Sequence, residues 1–392
     1  MVGNRLRAPL VALAALLSLS TAQAADPYPI NVMLPLTGSG AFLGKAEQQA
    51  LQRLEILVNA TGGIHARPLQ FVFHDDQTNP QTGIQLVNQI LAAKPAVILG
   101  PSLVAVCNAV APLMKNGPVD YCLSPGIKPA PGGYVFSTST GTDSLGSTLL
   151  HYFGKRGWKR VALITSTDAS GQDAYRNIKG MVGKPGYEDV EIVAEAQFNP
   201  TDVSASAQIE RLKAAKPDAL IAWSTGSPVG TVFKAIQDAG LEVPVGTTNG
   251  NMTYAQMTQY ASFLPKELFI PSTVWPKGDD AKLAPGVVQA KADFYKSFEG
   301  TDIKPDSPST LAWDPALIVV SALRKLKPEA TAEDLRAYLL ALQGFDGVNG
   351  PYDFKAMPNR GIGEENVVVT RWNPAKGAWV IVSAPQGVPL KP

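Results

Sequence analysis

Histidine and cysteine are scarce in this chain, three of one and two of the other in 392 residues. His65, His74 and His151 stand far apart and in no ligand-like spacing, so no metal centre is expected. No Gly-x-Ser-x-Gly elbow or Ser-x-x-Lys pair falls in a strand–turn–helix context, so no catalytic residues are assigned and the chain is not read as an enzyme. A surplus of one charge is also missing. The 34 basic and 33 acidic residues are mixed along the chain and leave a formal charge of +1, which argues against electrostatic capture of nucleic acid. After Ala24 no apolar run approaches the roughly 20 residues needed to span a bilayer, and no lipidation cysteine lies nearby. A hydrophobic content of 45% against 17% charged residues excludes a disordered chain.

What is present starts at the N-terminus. Arg5 and Arg7 precede an apolar stretch at 10–19, and Ala22-Gln23-Ala24 supplies the small residues a signal peptidase needs. Residues 1–24 are therefore read as a cleavable signal peptide and the product as periplasmic. The mature chain would have 392 − 24 = 368 residues, too many for a single growing core, so two lobes are expected. In an oxidising compartment Cys107 and Cys122 are a disulfide candidate. Cys107 falls in the opening turns of an expected helix (105–115) and Cys122 near the end of the next expected strand (119–123). In a strand–helix–strand unit those two points share one sheet edge. Two buried free thiols are the alternative.

From residue 28 onward, short apolar runs alternate with segments of helical periodicity. Strands are expected at 30–36, 70–74, 96–100, 119–123, 160–165, 192–197, 219–223 and 243–246. Helices are expected at 44–60, 80–93, 173–181, 204–215, 230–239, 284–298 and 315–326, the last capped by Asp314 with Pro315 in its first turn. The runs at 366–372 and 379–383, split by Asn373-Pro374-Ala375-Lys376-Gly377, read as a hairpin. Such alternation gives parallel sheets with helices on both faces.

The glycines of 38–44, with Asp75-Asp76 ending the second strand, resemble a dinucleotide fingerprint. Nicotinamide cofactors are chiefly cytoplasmic, so the glycines are read as turn geometry and no cofactor is expected. More telling are five strand-end loops rich in Ser, Thr, Gly and Asn: 101–102, 124–126, 166–171, 224–227 and 248–251. In doubly wound sheets, ligands bind beyond the carboxyl ends of the strands. Five such loops in two successive halves point to a cleft.

The order of elements, with Pro35-Leu36-Thr37-Gly38, Asn59-Ala60-Thr61-Gly62-Gly63-Ile64, His74-Asp75-Asp76, Gly100-Pro101, Ser124-Pro125 and Asp238-Ala239-Gly240-Leu241, resembles periplasmic solute-binding proteins of the branched-chain amino acid (Leu/Ile/Val-binding) type. The resemblance implies a type I periplasmic binding protein: two doubly wound parallel-sheet lobes joined by three crossovers. Lobe one would comprise 25–140 and 272–348, and lobe two 141–271 and 349–392. It also implies a monomer that traps a ligand between its lobes and delivers it to an inner-membrane ABC permease. A sensing module for a membrane receptor is the alternative.

Carried onto this sequence, the resemblance gives a ligand set of Phe42, Leu43, Ser102, Leu103, Val104, Ala105, Ser124, Pro125, Gly126, Lys128, Ser170, Gly171, Thr225, Gly226 and Asn249. Three departures stand out. Leu103 and Val104 make the third strand's loop more apolar than usual, Ser170 replaces a tyrosine, and Asn249 stands where amino-acid binders carry an acid. A buried ammonium without a carboxylate partner costs several kcal/mol. The exchange, with Lys128 nearby, therefore favours an organic acid lacking an α-amine, an aromatic acid above all. Branched-chain or other amino-acid binding is the alternative, with Asn249 merely turning the chain, Lys128 in solvent and Asp168 or Asp173 holding the ammonium.

Overall fold

The computed structural model describes residues 26–278 and 280–391; the expected signal peptide lies outside the described residues. The first half runs β1 (Tyr28–Leu34), α1 (Ala41–Ala60), β2 (Leu69–Asp75), α2 (Pro80–Leu91), β3 (Val97–Leu99), α3 (Val104–Val110), β4 (Val119–Cys122) and β5 (Val135–Ser137). These strands form an all-parallel sheet in the order β2-β1-β3-β4-β5. The chain continues through α4 (Thr142–Lys155), β6 (Arg160–Ser166), α5 (Ala169–Met181), β7 (Glu191–Phe198), α6 (Ser206–Ala214), β8 (Ala219–Trp223), α7 (Pro228–Asp238), β9 (Val245–Gly246), α8 (Tyr254–Gln259) and β10 (Leu268–Thr273). Then come α9 (Pro285–Ser297), α10 (Ser307–Lys325), α11 (Ala332–Ala341), the hairpin β11 (Gln343–Gly347) and β12 (Gly350–Asp353), and finally β13 (Val367–Asn373) and β14 (Ala378–Ile381).

The second sheet has the order β14-β13-β10-β9-β8-β6-β7, parallel except where β13 pairs with β10 and β14. Two α/β lobes result. The continuous runs 161–164 and 219–222 are wholly buried because helices cover both faces of their sheet. In α1, Leu43, Leu51, Leu54 and Val58 turn inward at helical spacing, and the helix stops at Gly62 and Gly63, both with positive φ. Helix α10 packs against α1, so the third stretch of chain completes the first lobe.

Helix α10 departs from expectation. It begins at Ser307, where Asp306 and Ser309 form a reciprocal cap, and Pro315 lies inside it. A proline there leaves the carbonyl four residues back without its helical donor. That carbonyl belongs to Leu311, and Thr138 Oγ1 donates to it at 2.7 Å. Asp314 is correspondingly no cap. It is fully buried and accepts from Val348 N, Asn349 N, Asn349 Nδ2 and Tyr352 Oη. Asn349 Oδ1 accepts in turn from Thr310 and Thr273. One stretch of α10 thus gathers Thr138 and Thr273, from the first two passages between the lobes, and Asn349 of the β11–β12 turn.

The last passage also differs. Phe354 meets Phe136 edge-on at 5.9 Å, and Asn359 Nδ2 donates to Gly133 O and Val135 O, so residues 350–362 stay with the first sheet. The boundary expected at 349 falls within the β11–β12 turn; we propose a return to lobe two at 363–367.

Cys107 and Cys122 are bridged, with Cα atoms 6.1 Å apart. The bond ties α3 to the end of β4. Replacing both cysteines by serine should lower unfolding free energy by about 3 kcal/mol in the chain-entropy account, measured by chemical denaturation. An unchanged midpoint and slope would show that the bridge adds no stability.

Candidate functional site

The loops after strands β1 to β9 all reach one cavity of about 210 Å³ between the lobes. From lobe one, Ser39 and Leu43 follow β1, Thr78 follows β2, Ser102–Ala105 follow β3, Leu123–Gly126 follow β4 and Thr142 follows β5. Lobe two adds Asp168–Ser170 after β6, Pro200 after β7, Trp223 and Thr225 at β8, and Thr248–Gly250 after β9. Leu311 of α10 completes the wall. The convergence follows from parallel topology, which puts all carboxyl ends at one edge of each sheet.

Of the expected residues, Leu43, Ser102, Leu103, Val104, Ala105, Ser124, Pro125, Gly126, Ser170, Thr225 and Asn249 line this cavity. Four do not. Phe42 packs edge-on against Tyr260 of lobe two at 6.0 Å. Gly171 is the third residue of α5, its N–H held by Asp168 Oδ1, and a Cβ there would sit 1.9 Å from Ser166 O. Gly226 has φ +86° and lies against Ser39, whose carbonyl accepts from Ser227 N across the lobes at 2.9 Å. Lys128 is exposed, because Ile127 takes the inward position, and its Nζ reaches Asn177 Oδ1 at 3.4 Å. Phe42 and Gly226 therefore join the lobes rather than face the cavity.

Ser39, Thr248 and Gly250 were not expected here, although each lies in a loop noted for its turn residues, and Asp168 was expected only in the amino-acid alternative. Trp223 signalled itself only as a strand's last residue. Leu311 had no signal, being an apolar helix residue like its neighbours.

The polar part of the wall is mostly hydroxyl. Ser170 Oγ and Thr225 Oγ1 are 2.8 Å apart, one donating to the other. Asn249 is buried, and its Oδ1 accepts from Thr248 Oγ1 at 3.3 Å. Asn251, just behind, donates to Ser224 O and Thr247 Oγ1 and accepts from Gly226 N, fixing the loops after β8 and β9 to each other. Asp168 is the one charged residue on the wall among the described residues. As the cap of α5 its Oδ1 accepts from Gly171 N and Ser166 Oγ.

Behind the lobe-one wall lie three more carboxyls. Glu47 is fully buried and bonded to Ser102 Oγ, and burial pushes it well above the usual carboxylate range. Burial likewise raises Asp76 to about 6 and Asp306 to about 7. At the other end, Arg360 donates to the carbonyls of Thr138, Ser139, Pro125 and Ile127, pinning the β4 loop to the first passage. Burial lowers its pKa to about 10.

A family described as "Periplasmic binding protein" matches residues 27–378. No curated protein matches the chain in sequence. Among solved structures, an extracellular ligand-binding receptor from Rhodopseudomonas palustris HaA2 has a TM-score of 0.80 at 19% identity, covering 91% of this chain and 99% of its own. The branched-chain amino acid transporter substrate-binding protein LivJ from Streptococcus pneumoniae, in complex with isoleucine, has a TM-score of 0.75 at 19% identity, covering 91% and 99%. An ABC transporter solute-binding protein from R. palustris, in complex with benzoate, has a TM-score of 0.74 at 19% identity, covering 93% and 98%.

A Cβ on residue 226 would sit 2.2 Å from Ser39 O. Gly226→Ala should therefore keep its secondary structure but hold the lobes apart, giving a larger radius of gyration by small-angle X-ray scattering. A radius equal to the wild type's would show that this close approach does not govern closure.

Proposed function

We propose that this chain, which belongs to the periplasmic binding protein family, is the exported solute-binding component of an ABC uptake transporter. It traps a small carboxylate without an α-amine, an aromatic acid first among them, and releases it unaltered. The signal sequence at 1–24 would deliver it to the periplasm, where it acts as a monomer. Ligand contacts from both lobes favour the closed form by their differential affinity for it, and the inner-membrane permease reads that closed shape.

The observation that carries the reading is Asn249 on the cavity wall, buried and uncharged where an ammonium would need an acid. Apolar Leu43, Leu103, Val104 and Trp223 offer surface to a hydrocarbon or aromatic body, and Ser102, Ser124, Ser170 and Thr225 offer hydroxyl donors. The benzoate complex of one structural relative is in keeping with this class. Asp168 favours a second reading. One of its oxygens has no protein donor, so it is free to meet an α-ammonium, and another relative holds isoleucine.

Matched pairs separate the two. In thermal-shift assays benzoate and 4-methylpentanoate should stabilise the protein, while leucine and isoleucine should not. A ligand present at 100 times its Kd adds about 2.7 kcal/mol. Asp168→Asn, which keeps a competent helix cap, should leave acid binding unchanged or tighter. Stabilisation by leucine that disappears in Asp168→Asn would establish the amino-acid reading instead.

A further inference from the structure

We propose that Glu47, from behind the cavity wall, decides whether Ser102 offers the ligand a hydrogen-bond donor or an acceptor, and so decides which charge the cavity takes. The inference rests on the carboxylate reading above and adds the residue that makes it work. Ser102 lines the cavity and is itself only 4% exposed. Its Oγ lies 2.5 Å from Glu47 Oε2, on the side away from the cavity. Glu47 is 0% exposed, and its other oxygen has no partner. Asp76 presents a second partnerless buried oxygen, and Asp306 caps α10 nearby. The charges that face Glu47 are these two acids, one from the loop after β2 and one from α10. No ion pair to Glu47 occurs among the described residues.

A serine hydroxyl has one proton, so it donates in one direction only. If Glu47 is ionised, Ser102 donates backward to it and turns lone pairs toward the ligand, which suits an ammonium and repels a carboxylate. If Glu47 is neutral, its O–H donates to Ser102 Oγ and the serine proton is free to point into the cavity at a carboxylate. A buried acid among other acids, with no cation, keeps its proton. Burial holding Glu47 well above the ordinary range agrees with that geometry. Two neighbouring acids make the balance sensitive, since ionising either one further disfavours ionising Glu47. Glu47 touches no ligand. It is a positioning residue that acts through Ser102.

The test uses benzoate as probe, because it stays ionised across the working range, with tryptophan fluorescence or calorimetry as readout. The wild type should lose affinity by about tenfold per pH unit once the pH passes the point, well above the usual carboxylate range, at which Glu47 ionises. Glu47→Gln, whose amide can donate to Ser102 and does not titrate, should bind benzoate as tightly as the wild type at low pH and show no such slope. Glu47→Met, which neither donates to Ser102 nor accepts from it, leaves the serine proton free and should likewise bind benzoate without that slope; circular dichroism checks that both variants fold. Independently of any ligand, infrared spectra of the unliganded wild type at pH 7 should carry a protonated-carboxyl C=O band that Glu47→Gln lacks. A slope that persists in Glu47→Gln, or a wild type without that band, overturns the role of Glu47 while leaving the carboxylate reading standing. Absence of benzoate binding by all three proteins at every pH, with the band present, overturns the carboxylate reading and this inference with it.

Discussion

The carbonyl of Leu311, released from its helix by Pro315, is where the two lobes are fastened. Thr138 on the first passage donates to it, while Asn349 in the β11–β12 turn binds Thr310 and Asp314 of the same helix and accepts from Thr273 on the second passage. All of these groups are buried, so each must find its partner or lose the cost of desolvation, about 1–3 kcal/mol per group. Three chain segments that are distant in sequence are thereby held to one turn of α10. The Leu311 side chain also forms part of the cavity wall. The fastening point of the passages and the cavity therefore share a residue.

Much of this architecture is visible in the amino-acid sequence because it follows from short-range rules. Alternating apolar strands and amphipathic helices specify the two sheets, and strand-end loops rich in serine and glycine mark the cleft. Cys107 and Cys122 pair because a helix start and the next strand's end meet at one sheet edge. What escapes is long-range. Asp314-Pro315 carries the local signature of a helix start, yet Asp306 caps the same helix about two turns earlier, and tertiary burial converts Asp314 into a hub. The later return to the second lobe proposed above follows from Tyr352 and Phe354, which still pack on the first.

The site divides in the same way. Residues next to a strand end could be named from the sequence, since topology alone brings them together. Whether a loop residue faces the ligand or the opposite lobe depends on the angle of approach of the lobes. Phe42 and Gly226 turn out to lie at that contact. Lys128 misses the cavity by one residue, because Ile127 has the greater gain from burial. Glu47 was invisible for a different reason: an acid on the buried face of an amphipathic helix contradicts the pattern that identifies the helix. Such exceptions cluster where function needs them.

The account as a whole claims that two lobes close on a small organic anion and leave it intact. Native mass spectrometry of protein purified without unfolding, followed by identification of whatever it releases, tests this most directly. The account predicts a retained carboxylic acid lacking an α-amine, recovered chemically unchanged; a retained amino acid, or a chemically altered product, would contradict it.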